Sequence, residues 1–241
     1  MDEVRAKGHR QRLRDRFQEK GIESLTDVEV IELLLTFGTP RSNCRPAAEE
    51  ALERFKSLPE VLDAAPAALE KIKGMGPKNI FAIQFIQGVA RRYLRQRIQK
   101  KSYITSSKEV ADYLIHSLRG LRREVFMAVY LDASHAVLDS EILSEGTINV
   151  NTVYPRELLK AALAHNASAL VIAHNHPSGS REPSAQDEQL TRTLFLLCSF
   201  MNINLLDHLI IGAGETVYSF ADHGLMTTIR KDCEALRSRL T

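Results

Sequence analysis

The chain has 241 residues, 44% hydrophobic and 26% charged, the balance of a folded globular protein with room for one large or two small cores. No run of 18 apolar residues occurs and the start, Met-Asp-Glu-Val-Arg, lacks an apolar leader, so neither a membrane span nor a secretion signal is expected. Cys44, Cys198 and Cys233 are far apart with no Cys-x-x-Cys, which excludes a disulfide framework or zinc finger and suits reduced thiols in a cytoplasmic protein.

The net charge of +2 is unevenly spread: residues 1–100 carry 19 Lys/Arg against 14 Asp/Glu, residues 101–241 carry 13 against 16. The basic runs His9–Arg16 and Arg91–Arg97 concentrate that excess, which leans toward an anionic partner or describes solvated helix faces. This first half reads as helical throughout. Val28, Ile31, Leu34 and Leu35 recur at helical spacing, with Thr26 and Glu29 as a capping box and Gly38-Thr-Pro40 as the stop. Further helices are predicted over Pro46–Phe55, Leu58–Ala64 and Pro66–Ile72, then a long one from Pro77 to about Arg97.

The join before that long helix reads Ile72-Lys73-Gly74-Met75-Gly76-Pro77-Lys78. Glycines let a backbone approach a phosphate, and free N–H groups at a helix start can bind it. The pattern resembles the helix-hairpin-helix motif of DNA repair and recombination proteins, which implies contact with the DNA backbone through Lys73, Gly74, Gly76 and Lys78, without sequence readout. A tight turn between packed helices would also use two glycines.

At Lys100-Lys101 the pattern changes, and the domain boundary is placed there: 1–100 helical, 101–225 mixed, 226–241 a terminal helix or tail. Ser106 is expected to cap a helix to Leu118. Strands follow at Glu124–Asp132 and Ala136–Leu143 around a turn at Ala133-Ser134, and Pro155 opens a helix to Asn166. A strand over 168–173, a helix over Ser184–Met201, and strands over Ile203–Ile211 and Glu215–Phe220 complete an α/β sandwich with a mixed sheet.

The chemistry concentrates after Ala169-Leu-Val-Ile-Ala173, a buried strand by its apolar run. His174 and His176 share a strand face at its carboxyl end. Pro177, Gly179 and Pro183 turn the chain, and Asp187 returns in the first turn of the next helix. Two histidines and a carboxylate with a fourth position left for water form a catalytic rather than structural zinc pattern. Ser184-x-x-Asp187 is a capping box as well.

His174-x-His176-x(7)-Ser184-x(2)-Asp187 matches the motif of the JAMM (MPN+) metalloproteases. The fuller phrase His-Asn-His-Pro-Ser-Gly, with Gly146-Thr147, Pro155-Arg156-Glu157 and Asp207-His208-Leu-Ile-Ile-Gly212, resembles the bacterial RadC (UPF0758) family over nearly the whole chain. The resemblance implies an MPN fold, similar to cytidine deaminases, with zinc on His174, His176 and Asp187. It implies a catalytic glutamate at an upstream strand start, where Glu124 stands; Glu141, Glu145 and Glu157 are its competitors. It implies Ser184 as donor to the oxyanion. Eukaryotic deubiquitinating members carry Ser or Thr where this chain has Asn175, a difference that bears on the substrate. Asn175 could orient substrate or brace a ligand. Asp207-His208 reads as structural, or as support behind the ligands.

Two functions are expected from these readings. One is a zinc-dependent peptidase or isopeptidase tethered to DNA. The other is a DNA repair accessory protein or nuclease whose metal acts on nucleic acid or is structural.

Overall fold

The computed structural model describes residues 2–40, 42–146 and 154–237. Thr147 and the chain end at 238–241 lie outside them. The chain divides into two units, residues 1–90 and 91–241. The division falls inside a continuous helix, ahead of the change of sequence pattern at Lys100. Among the described residues no helix is long and apolar enough to cross a membrane.

Among the described residues the first unit is all helix: α1 (Asp2–Lys20), α2 (Asp27–Gly38), α3 (Arg45–Phe55), α4 (Leu58–Leu62), α5 (Pro66–Leu69) and the start of α6 (Pro77–Ile98). α4 and α5 stop short of the spans read for them, ending at Leu62 and Leu69. The expected capping box opens α2, with the Thr26 side chain accepting from Glu29 N and Glu29 accepting from Thr26 N. Such a cap is worth about 1 kcal/mol. Ile31, Leu35, Ala48, Val61, Leu69, Ile72 and Ile83 meet in the core. Of the first basic run, Arg10 is buried and donates to the Pro40 and Ser42 carbonyls, and Arg16 pairs with Glu29 at 2.5 Å. Part of that run therefore serves the fold.

In the second unit α7 (Tyr103–Leu118) begins earlier than expected, after Ser102, whose side chain makes no capping bond. Ser106 sits in the helix as a kink at φ −132°, ψ 27°, and its hydroxyl donates to Ser102 O at 2.5 Å instead of accepting a helix N–H. The sheet follows: β1 (Glu124–Leu131), β2 (Val137–Gly146), α8 (Pro155–Ala164), β3 (Ala169–Asn175), α9 (Ala185–Phe200), β4 (Asn204–Ile211), β5 (Val217–Ser219) and α10 (Leu225–Arg237). Among the described residues strand order is β2-β1-β3-β4-β5, with only β3 and β4 parallel. A parallel pair requires a crossover, and α9 supplies it. β3 is buried along all its length, as a central strand covered on both faces must be, which is why it reads as a continuous apolar run.

One face carries Phe126, Tyr130, Leu170, Ile172 and Ile210 against α8, α9 and α10. The other carries Val125, Val129, Val171 and Leu209 against α7. The C-terminal helix is part of this core, with Met226, Ile229 and Cys233 buried in it. Each large aliphatic or aromatic side chain so buried contributes about 1.5–3 kcal/mol.

Candidate metal centre

The candidate site lies at the carboxyl end of β3, beside its parallel partner β4 and at the start of α9. The pleat sends residues two apart to the same face. His174 ends that face of β3, and the His176 N–H extends the pairing with β4 by donating to Ile211 O at 2.9 Å. The turn back to α9 packs tightly over Gly212. A Cβ there would stand 2.5 Å from Arg181 Cγ, 2.6 Å from Gly179 O and 2.7 Å from Ser180 O.

Ser184 then caps α9. Its Oγ accepts the Asp187 N–H at 3.2 Å, while its own N–H and hydroxyl each donate to Asp187 Oδ2 at 2.7 Å. Those bonds fix the carboxylate. Oδ1 lies 3.1 Å from His174 Nε2 and Oδ2 3.4 Å from His176 Nε2, and the two Nε2 atoms are 2.9 Å apart. Among the described residues this is the one group of His, Cys, Asp and Glu whose ligand atoms, all within 4.8 Å of one another, could hold an ion.

The arrangement fits a cation. His176 Nδ1 is 3.1 Å from Ser180 O. A carbonyl only accepts, so Nδ1 carries a proton, and in the neutral ring Nε2 presents a lone pair. Electron-rich atoms this close repel unless a positive charge lies among them. Two imidazoles and a carboxylate are a donor set that zinc accepts. The electrostatics agree. Where no ion lies among these atoms a proton can take its place: burial opposes ionisation of Asp187, but hydrogen bonds from His174 and His176, once their Nε2 atoms are protonated, outweigh it and hold the carboxyl well below the usual carboxylate range. The same hydrogen bond to Asp187 raises His176 above the usual imidazole value, against its partial burial. The positive end of α9 adds to the stability of the Asp187 charge.

Glu124 and Ser184 line, with His176, Gln186, Asp187 and Leu190, one cleft of about 230 Å³. The register explains Glu124: Phe126 pairs with His174 across the antiparallel β1 and β3, so Glu124, two residues earlier, stands level with His176. Of its competitors, Glu141 accepts from Tyr130 OH at 2.6 Å, Glu157 pairs with Arg156 at 3.2 Å, and Glu145 lies on β2 opposite Val125. None of these three lines the cleft.

Asn175 points to the opposite face. Its Oδ1 accepts Val125 N–H at 2.8 Å, and its Nδ2 donates to Leu121 O at 3.2 Å and Arg123 O at 3.1 Å. It braces the segment that presents Glu124. Asp207 and His208 divide between the faces. Asp207 is buried and accepts from His208 N, Ala221 N, Ser219 Oγ and Tyr103 OH at 2.6–3.2 Å, tying β4 to β5 and α7. Burial, only partly offset by those bonds, raises its carboxyl above the ordinary value. His208 reaches the other way, with Nε2 2.8 Å from His174 Nδ1. Thr191, one helical turn after Asp187, has no motif to announce it, yet its hydroxyl meets His208 Nδ1 at 2.7 Å.

In the first unit Gly74 adopts φ +88°, and Lys73 and Lys78 are exposed beside it. The Gly76 N–H donates to Asn79 Oδ1 at 3.2 Å, so this donor of the α6 start is already used within the fold.

Comparison with known proteins matches residues 104–225 to the RadC-like JAB domain and residues 5–81 to the UPF0758 N-terminal region. A UPF0758 protein of Pseudoalteromonas translucida is 41% identical over 216 residues, covering 90% of this chain and 96% of its own.

Proposed function

Since the chain belongs to the UPF0758 family and carries that family's RadC-like JAB domain, we propose that it is a zinc-dependent hydrolase of the JAMM type, cleaving a peptide or isopeptide bond, with its helical unit held on DNA. The JAB-like domain is related to metal-dependent hydrolases, which is the general setting for the proposal. One observation carries it: His174 Nε2, His176 Nε2 and the Asp187 carboxylate converge, with contacts of 2.9–3.4 Å, and His176 and Asp187 line the cleft that Glu124 shares.

His174, His176 and Asp187 would hold the ion. When bound, zinc supplies a Lewis acid and brings the pKa of a coordinated water to about 7. Glu124, on the same cleft, would take a proton from the attacking water. It would return that proton to the nitrogen as the carbon–nitrogen bond breaks. The Ser184 hydroxyl, which donates to Asp187 Oδ2, would turn to the oxyanion. One such donor is worth about 2.7–4 kcal/mol. For the helical unit, exposed Lys73 and Lys78 around the left-handed Gly74 support a backbone contact with DNA.

The test is direct. Protein expressed with ample zinc is assayed for metal, then incubated with a peptide library and with single- and double-stranded DNA, beside Glu124→Gln. About one zinc per chain, lost in His174→Ala and Asp187→Ala, with Glu124-dependent peptide cleavage, is the expected result. A folded, metal-free wild type would sink the proposal, and Glu124-dependent cleavage of DNA alone would favour the nuclease reading.

A further inference from the structure

We propose that His208, held by Thr191, fixes the tautomer of His174 and so turns the His174 Nε2 lone pair toward the ion. The proposal rests on the metal site described above, and adds two residues that bind no metal themselves.

The argument follows single protons. Thr191 Oγ1 lies 2.6 Å from Asp187 O and 2.7 Å from His208 Nδ1. A hydroxyl has one proton, and the carbonyl can only accept. The Thr191 proton therefore goes to Asp187 O, and the bond to His208 forms only if His208 Nδ1 carries the proton. A second proton on His208 would bury a charge, since the residue is fully buried with no carboxylate in hydrogen-bond contact. His208 Nε2 is thus an acceptor. It lies 2.8 Å from His174 Nδ1, which must donate. His174 Nε2 is left with its lone pair, among His176 Nε2 and Asp187 Oδ1.

The ring of His208 is also fixed in plane. Phe220 stacks on it at 4.8 Å and Phe126 meets it edge-on at 6.3 Å. Its two nitrogens consequently face two set partners and no others. The chain of hydrogen bonds begins at the backbone of Asp187, itself a ligand, so the turn of helix that supplies the carboxylate also orders the imidazole opposite. A histidine ligand commonly gives its other N–H to such a partner, and removing the partner lowers metal affinity roughly 10–100-fold.

His208 is a positioning residue, and the experiment separates it from a packing role. Long-range proton–nitrogen spectra of the metal-free protein, above the range where imidazoles titrate, should show His208 protonated at Nδ1 and bare at Nε2. Zinc affinity is then measured by chelator competition. His208→Phe should weaken it roughly 10–100-fold, His208→Gln, whose Oε1 can accept from His174, should recover most of that deficit, and Thr191→Val should fall between. Melting curves of the metal-free variants check the fold. A His208 proton on Nε2, or wild-type zinc affinity in folded His208→Phe, would overturn the inference. If the wild type bound no divalent ion, the hydrolase proposal would fail, while the tautomer of His208 would still decide this one.

Discussion

The Asn175 side chain accepts the Val125 N–H at 2.8 Å, from the side of the sheet opposite to the histidines. Residue 175 lies between the two candidate histidine ligands and residue 125 follows the candidate base, so one amide ties both halves of the proposed site. Asn175→Ala would leave the buried Val125 N–H without a partner, at about 1–3 kcal/mol of stability. It would also free the segment that aims Glu124. A base misplaced by an ångström costs roughly 10²-fold in rate. The expected variant is folded, keeps its zinc, and turns over about 10²-fold more slowly. Zinc loss in parallel with activity would show instead that Asn175 supports the ligands.

Gly212 is closed to any side chain. A methyl would push on Gly179 O and Ser180 O, and Ser180 O is the partner of His176 Nδ1. Gly212→Ala should displace the loop and weaken zinc binding by roughly 10-fold, the lower end of the range for a ligand deprived of its partner. The first unit should melt unchanged. Chelator competition with two-probe melting checks this, and unaltered affinity would mean the loop yields without moving His176.

A pH effect is expected from Glu29, whose carboxyl is held at about 2 by its hydrogen bond to Arg16, against slight burial and with help from Thr26. Its folded value lies below the ordinary 4.5, so the pair stabilises fully above pH 4.5 and is lost as pH falls toward 2. Wild type should exceed Glu29→Gln in urea midpoint at neutral pH, and the gap should close between pH 4.5 and 2. A gap that persists at pH 2 would assign the effect to packing. The Arg16 partner is about a third exposed, so solvent screens the pair and a modest difference is expected.

What is legible in the sequence divides by the range of the interaction. The β3 strand, the His174–Asp187 spacing and the Ser184 cap are written in neighbouring residues, through pleat and helix-start chemistry. Glu124 follows from resemblance, and the β1–β3 register supplies its physical reason. Thr191 and His208 are out of reach as a pair, because only the parallel register that sets Ile172 beside His208 brings that imidazole to His174. The early start of α7 is hidden for a local reason: Ser102 precedes the helix without a side-chain cap, and the Ser106 hydroxyl bonds back to Ser102 O in place of capping.

For the helical unit, binding to phosphates should show in salt dependence. Each lysine–phosphate pairing removed lowers the slope of log affinity against log salt by about 1. Lys73→Glu and Lys78→Glu leave Gly74 and the turn intact, so they test charge without disturbing φ +88°. Weaker binding to any DNA sequence, with a shallower slope, is expected by fluorescence anisotropy. Binding that ignores salt would exclude the phosphate backbone as its source.

Zinc should also stabilise the α/β unit specifically. The candidate ligands come from β3, the turn after it and α9, which pack in one core, while the helical unit has a core of its own. An ion that binds only the folded state adds RT ln(1 + [L]/Kd), about 2.7 kcal/mol at a hundredfold excess over Kd. For a unit of this size that raises the melting temperature by roughly 5–11 °C. The transition belonging to residues 91–241 should therefore rise with zinc, fall with a chelator, and stay still in His174→Ala. The other transition should not respond. Equal shifts in wild type and His174→Ala would place zinc elsewhere on the chain and remove the geometric basis of the proposed hydrolase.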